Sequence, residues 1–229
     1  MEALKPEYGP TLGELLAPRW RRAGPRARWV AALAALALIV LAVVLLLALE
    51  GPSVSHGGAV PFSFSYRGLE RRTPEAGSYA RAVRERDGRL EDSFSVAPLS
   101  LPAYRRSVTG AFPLYATDYI RALAAKYHDF VLVGQGPIRT AAFGSWEELP
   151  PSTVYYHVPT YTIAFTTVIG GRLMYGRDVW LVPNERGARA GVDVRMLAAA
   201  NPRGSYASAL SVGTTGALSR AMRSFSLGG

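Results

Sequence analysis

The chain has 229 residues and is 49% hydrophobic, so it is long enough for one ordinary domain with its own core plus a tail or anchor. It contains no cysteine, which excludes disulfides, thiolate metal sites and a cysteine nucleophile. Its net charge is +9, and its three histidines (His56, His128 and His157) are far apart and lack ligand spacing, so we expect no metal site and no cofactor.

The first 28 residues form a basic tail, with six basic and three acidic side chains and hence a net charge of +3. Within the tail, Thr11 and Glu14 fit a capping box for one short helical turn with an apolar side of leucines. That turn could dock a cytoplasmic partner, or it could lie on a membrane surface.

The segment 29–49 contains 21 residues without a charge or a proline. At 1.5 Å per residue it would rise about 30 Å, the thickness of a bilayer core. Its apolar run is longer than that of a typical cleaved signal peptide, so the pattern predicts an uncleaved transmembrane signal anchor. Basic residues precede the segment and the next one is Arg67, which predicts a single-pass plasma-membrane protein with a cytoplasmic N-terminus.

Residues 50–61 are rich in glycine, proline and serine, and this composition predicts a short linker to an extracytoplasmic domain over 62–229. At the start of that domain, apolar residues alternate with serines at Phe62 and Phe64, as in a half-buried strand. The dipeptide Asp87-Gly88 lies between two strand-like runs, which predicts a hairpin.

A helical period follows the first strands. Tyr115, Tyr119, Leu123 and Tyr127 fall four residues apart, which predicts an amphipathic helix with Pro113 near its first turn. Strand patterns then resume over 129–143.

Two further strand-like runs flank Gly170-Gly171, which predicts a tight hairpin rather than a phosphate-binding loop, since no helix follows the glycines. A two-residue turn would place Asp178 opposite Ile163 on an apolar face. We therefore predict a β-bulge at Gly176 that turns Arg177 and Asp178 outward.

The closing segment 213–225 has apolar residues at helical spacing and predicts a short packing helix. Because helices are few and lie between runs of strands, the pattern predicts an α+β domain, an antiparallel sheet flanked by helices.

This layout resembles the PsbP-like fold of the extrinsic photosystem subunit and its bacterial relatives. The resemblance covers 60–229 and rests on PFSFSYRGL (61–69) as a first strand and ALSRAMRSFSLG (217–228) as a closing helix. It implies an αβα sandwich and a non-enzymatic accessory or binding role, and it carries over no catalytic residues. The chain departs from the family where the first hairpin reads YRGLERR without the familiar proline and tryptophan, and in its predicted anchor.

No nucleophile elbow of the form G-x-S-x-G is present in the sequence. The carboxylates that could act as general acid and base are Glu91-Asp92, Glu147-Glu148, and a spatial pair of Asp178 with Asp193. Adjacent strand residues point to opposite faces, and a loop pair is ordinarily solvated, so we expect a non-enzymatic protein. An envelope hydrolase with an unrecognised active site is the alternative.

The loop 144–159 is the strongest candidate for recognition because tyrosine and tryptophan offer large contact areas with polar tips. The candidate binding residues are Trp146, Tyr155, Tyr156 and His157, together with Arg177 and Asp178. Loop aromatics that pack on their own domain are the competing interpretation.

Arginines are dense between 67 and 106 and could meet an anionic envelope polymer, or they could form a solvated face paired with local carboxylates. Expected partners are therefore the lipid bilayer, an envelope protein or an anionic envelope polymer, and a cytoplasmic partner of the tail. Nucleic acid is excluded because the domain is placed outside the membrane. The sequence thus predicts a membrane-anchored interaction or ligand-binding module of the bacterial cell envelope.

Overall fold

The computed structural model divides into two compact units, Met1–Glu50 and Gly51–Gly229. The residues that it describes are 24, 29–30, 33–41, 51–104, 107–137, 160–183, 187–200 and 206–228. In the first unit, the described residues 29–30 and 33–41 are helical.

The predicted membrane anchor is corrected by the structure. Among the described residues, no helix has both the length and the apolar character needed to cross a bilayer. Within the predicted span 29–49, the described residues are 29–30 and 33–41. The other residues of the predicted span, 31–32 and 42–49, lie outside the described residues. The transmembrane helix and the plasma-membrane location inferred from it are therefore wrong on this finding.

The second unit is built mainly of strands. Its strands are β1 (Ser53–His56), β2 (Phe62–Ser65), β3 (Glu70–Arg72), β4 (Ala80–Arg86), β5 (Arg89–Ser100), β6 (His128–Pro137), β7 (Thr160–Ile169), β8 (Arg172–Leu181), β9 (Ala190–Ala199) and β10 (Ser226–Leu227). Its helices are α1 (Val108–Lys126), a 3₁₀ turn (Ala209–Ser211) and α2 (Gly216–Arg223). The strand β1 lies within the segment predicted as a linker.

The strands form two antiparallel sheets. The larger has seven strands in the order β3-β4-β5-β9-β8-β7-β6, and the smaller has the order β1-β2-β10. This arrangement confirms the α+β class with antiparallel sheets. It differs from the expected sandwich of one sheet between helices, because the small sheet joins α2 in covering one face.

Alternating residues of the large sheet belong to two separate hydrophobic cores, one on each face. On β8, Val179 and Leu181 belong to the core formed with the small sheet and α2. Trp180 lies between them in sequence and belongs to the second core, formed with Phe112 and Leu123 of α1. Because strand side chains alternate between faces, one sheet can bury apolar residues on both sides. The large sheet therefore separates the two cores and contributes side chains to both.

The turns follow the sequence closely. Asp87 and Gly88 have φ of 52° and 71°, and Gly170 and Gly171 have φ of 57° and 75°. These left-handed conformations are those of a two-residue type I′ hairpin turn. Both predicted hairpins are confirmed. Helix α1 begins at Val108, so Pro113 lies inside the helix and not in its first turn.

The predicted bulge at Gly176 is wrong. The β7–β8 ladder runs without interruption, with Phe165 opposite Gly176 and Ile163 opposite Asp178. The glycine has a steric cause instead, because a Cβ at this position would overlap the ring of Phe165. The ring occupies the space that a side chain at 176 would need.

Candidate functional site

The regular β7–β8 register places Asp178 on the face of the sheet that α1 covers. Asp178 is 2% exposed, and its neighbours on that face include Ile163, Phe165 and Trp180. Asp193 on β9 lies opposite Trp180 and is 1% exposed. Two carboxylates are thus buried side by side in an aromatic and aliphatic environment.

Tyr119 of α1 joins these two carboxylates. Its hydroxyl oxygen lies 2.6 Å from Oδ2 of Asp178 and 2.6 Å from Oδ2 of Asp193. The ring packs edge-on against Trp180, with the centroids 5.0 Å apart. The side chains of α1 and the large sheet therefore meet through both a polar and an aromatic contact.

The proton count of this cluster follows from its geometry. A tyrosine hydroxyl has one proton and can donate it to only one of the two carboxylates. The other carboxyl, at the same distance, must be protonated and donate to the hydroxyl oxygen. Asp193 accepts a hydrogen bond from Nε of Arg195 at 2.6 Å, which favours its ionised form. Asp178 is therefore the protonated member.

The pKa directions agree with this assignment. Burial raises the pKa of Asp178 well above its ordinary value, and the charge of Asp193 raises it further. Burial also raises the pKa of Asp193, although Arg195 opposes the shift. Burial and the two neighbouring carboxylates raise the pKa of Tyr119 well above its ordinary value. The tyrosine therefore stays protonated and donates to Asp193.

The spatial pair of Asp178 with Asp193 thus exists, but both carboxylates are covered. General acid–base chemistry requires a carboxyl group within hydrogen-bonding reach of a substrate. Here the polar contacts of Asp178 and Asp193 go to Tyr119 and Arg195, inside the domain. The cluster is best described as a buried hydrogen-bond network that fixes α1 on the sheet.

Arg177 lies on the opposite face of the sheet and is fully buried. Its Nη1 donates to the carbonyl oxygens of Leu210 at 2.8 Å and Val212 at 3.1 Å, and its Nε donates to Oγ1 of Thr162 at 3.3 Å. Burial lowers the pKa of Arg177 to about 10, so it remains charged at neutral pH. The expected outward orientation of Arg177 and Asp178 is wrong, since one is buried on each face.

The other residues predicted to bind a partner, Trp146, Tyr155, Tyr156 and His157, lie outside the described residues. The same holds for the tail segment 11–22. Their roles in binding stay predictions. The exclusion of nucleic acid rested on the corrected membrane location and also stays a prediction.

The edge strand β6 exposes three consecutive apolar side chains. Val131, Leu132 and Val133 are 58%, 38% and 43% exposed, whereas most apolar residues of the central strands are buried. The sequence pattern predicts this strand but not its place at the edge. Its signal was the run of consecutive apolar residues, which an alternating half-buried strand would not have.

Comparisons with known proteins give structural likenesses at low identity. No family model and no curated protein matches the chain. The yeast (Saccharomyces cerevisiae) Ran-binding protein Mog1p matches over 77% of this chain and 94% of its own, with 11% identity and a TM-score of 0.43. The structure of a Mog1 point mutant matches over 77% and 96%, with 11% identity and a TM-score of 0.42.

A protein of unknown function from Pseudomonas aeruginosa, PA94, matches over 57% of this chain and 82% of its own, with 9% identity and a TM-score of 0.32. These likenesses assign no function, and Ran binding is a property of Mog1p. No PsbP-like protein is among the structural matches, so the PsbP-like assignment is wrong.

Proposed function

We propose that the domain 51–229 is a non-enzymatic interaction module that binds an extended segment of a partner protein along β6. The observation that carries this proposal is the exposed apolar run Val131–Val133 on the edge strand. Six large apolar side chains of the described domain are exposed, and three of them are these consecutive residues; the others are Tyr79, Leu114 and Leu173. Such clustering marks an interaction surface more than scattered exposure does.

Among the described residues, no strand pairs with the outer side of β6. Within the described part of the chain, β6 pairs only with β7 and forms the end of the seven-stranded sheet. An edge strand offers unpaired N–H and C=O groups, and a partner strand can satisfy them by adding to the sheet. Main-chain hydrogen bonds would then supply affinity, and the apolar side chains would supply specificity.

Irregularities in β6 limit the length of such pairing. The β6–β7 register shifts between His128 and Val131 and again between Leu132 and Gly134. The second shift leaves Val133 without a partner residue on β7, as in a β-bulge. Pro137 ends the strand and has no N–H to donate. We therefore expect a partner segment of only a few residues, with apolar side chains that face Val131 and Val133.

The test begins with a photo-cross-linking amino acid at position 133 and, as a control, at Leu114 of α1. Leu114 is 73% exposed and lies on α1, outside the proposed surface Val131–Val133, so it reports random encounters. A protein captured only through position 133 in the source cells is then purified, and its affinity for the full chain is measured by isothermal titration calorimetry.

The triple variant V131T/L132T/V133T places β-branched threonine, which favours strands, at all three positions and replaces apolar with polar surface. We expect it to weaken binding at least tenfold, because three apolar side chains no longer become buried. The control variant Leu114→Thr should bind as the wild type does. Circular dichroism should show the same fold for both variants.

Two results would overturn the proposal. One is equal binding by the triple variant and the wild type. The other is a wild-type dimer, seen by sedimentation, that the triple variant converts to monomer, because the occupant would then be a second copy of this chain. The alternative of a hydrolase stays a prediction.

A further inference from the structure

A second surface lies at the end of the large sheet, where two hairpin turns come together. The β4–β5 turn and the start of β8 line an open cavity of about 330 Å³. Its lining residues are Arg86, Asp87, Arg89, Glu91 and Arg172. Nη1 of Arg172 lies 3.4 Å from the carbonyl oxygen of Leu90, which links the two hairpins. The cavity therefore lies between two hairpins whose strands β5 and β8 are separated by β9 in the sheet.

The arginines of this cavity differ from five other arginines of the domain, which form ion pairs. Ion pairs with carboxylates engage Arg72, Arg81, Arg84, Arg121 and Arg195. In the described part of the chain, Arg86, Arg89 and Arg172 have no ion pair. Three guanidinium groups that lack a carboxylate partner thus line one cavity.

The two carboxylates of the lining do not neutralise it. Three arginines and two acids leave a net charge of +1. Oε2 of Glu91 is 3.9 Å from Nε of Arg84, outside the cavity lining, so its charge is partly shared there. Asp87 occupies the left-handed position of the turn, with φ of 52°, where an aspartate side chain can bond to the local backbone. The electrostatic balance of the cavity favours an anion.

We propose that this cavity is a binding site for a phosphoryl group. Its volume lies at the lower end of the range for small-molecule sites, which suits a small anion or one end of a larger ligand. Guanidinium forks bind phosphate oxygens in pairs, and three of them match an anion with three or more terminal oxygens. A single carboxylate would engage only one fork and leave the other two without a partner. The chemistry shared by free phosphate and by a phosphate ester is therefore the ligand class.

The experiment uses the full chain and calorimetric titration with inorganic phosphate, with glycerol phosphate as a monoester and with chloride at matched ionic strength as the reference. We expect saturable binding of a phosphate species and none of chloride. Tighter binding of the monoester would identify a phosphoryl group on a larger molecule as the ligand. Tighter binding of inorganic phosphate would identify the free anion.

Two variants test the residues. Arg172→Gln removes one guanidinium from β8, and R86Q/R89Q removes two from the other hairpin. Each should weaken phosphate binding at least tenfold, the equivalent of about 1.4 kcal/mol. The control Arg71→Gln removes a charge from an exposed arginine of β3 that does not line the cavity. It should change the affinity less than twofold.

The proposal would be overturned by either of two results. The first is the absence of saturable binding by both phosphate species. The second is an equal loss of affinity in Arg71→Gln, which would indicate attraction to the overall charge alone. A thermal melt of each variant confirms that it is folded. Because no residue of β6 is altered, this result is independent of the proposed strand-addition surface.

Discussion

The hydroxyl of Tyr119 lies 2.6 Å from Oδ2 of Asp178, and this contact fixes the middle of α1 to the middle of the large sheet. Asp178 stands on a face that is otherwise aromatic and aliphatic. A carboxyl group is tolerated there because it is protonated and because its hydrogen-bond partner comes from the covering helix. The contact therefore specifies where α1 sits as well as how firmly it is held.

Replacing Tyr119 by phenylalanine should lower the free energy of unfolding by about 2 to 3 kcal/mol. The substitution keeps the ring and removes the hydroxyl, so two buried carboxyl groups each lose a hydrogen bond, and the bond to ionised Asp193 is charge-assisted. Urea unfolding at pH 7 measures the change. Tyr115→Phe is the matched control, since Tyr115 lies one turn earlier on α1, also packs on Trp180 and has no hydrogen bond through its hydroxyl in the described part of the chain. Equal losses in the two variants would contradict the role of the Tyr119 hydroxyl.

Arg195→Gln should destabilise the domain by about 2 kcal/mol. Removing one partner of a buried ion pair leaves the other charge uncompensated, and the cost is moderated here because the Arg195 side chain is 31% exposed. The double variant D193N/R195Q should recover at least half of the loss, because the buried charge is removed as well. Arg81→Gln is a control of similar exposure (28%), and we expect it to cost less than about 1 kcal/mol because its partner Glu75 is 57% exposed. A double variant no more stable than Arg195→Gln would refute the explanation.

Gly176→Ala should destabilise by about 2 kcal/mol, because the added methyl group overlaps the ring of Phe165 and forces it to move. Gly134→Ala on β6 is the comparison, since a Cβ there meets only Cδ2 of Leu210, at an ordinary 3.6 Å. Denaturant unfolding of both variants gives the values. If Phe165→Leu restores the stability of Gly176→Ala, the overlap is the cause; if the double variant is additive, it is not.

The local pattern predicted β2, β4 to β8, both hairpins and α1, because hydrophobic period and turn residues are properties of neighbouring positions. It failed at Gly176 and Asp178 because their explanation lies in partners distant in sequence. The bulge was inferred from the free-energy cost of burying a carboxylate on an apolar face. Tyr119, 59 residues away in sequence, offsets that cost by hydrogen bonding to Asp178. Similarly, the glycine-, proline- and serine-rich composition of 50–61 predicted a linker and not β1, whose pairing with β2 depends on the fold. The exposure of β6 also required the strand order.

The pH dependence of stability should carry a contribution from Asp92. Burial raises the pKa of Asp92 to about 6, Glu91 adds to the shift, and Arg84, whose Nη2 lies 2.5 Å away, opposes it. Because the folded pKa is above the unfolded value of about 3.9, this stabilising contribution is complete below about pH 4 and is lost as the pH rises through about 6. Its full size is about 3 kcal/mol.

The measurement compares urea unfolding of the wild type and Asp92→Asn at several values between pH 4 and pH 7. The stability of the variant relative to the wild type should rise by up to about 3 kcal/mol across this interval, since only the wild type loses the contribution. Asp118→Asn, at a carboxylate that is 75% exposed, corrects for general effects of the substitution. A difference between wild type and Asp92→Asn that is constant with pH would contradict the prediction.

The small sheet brings the first and the last strands of the domain together. Ser226 and Leu227 pair with Ser63 and Phe62, and the backbone N–H of Ser65 donates to Oγ of Ser224 at 2.8 Å. A nascent chain therefore cannot complete this sheet until Leu227 has left the ribosome. Completion of the core beneath β2 thus waits for synthesis of the whole domain, and a chain truncated before Ser226 would yield a domain whose first strands lack their final neighbour.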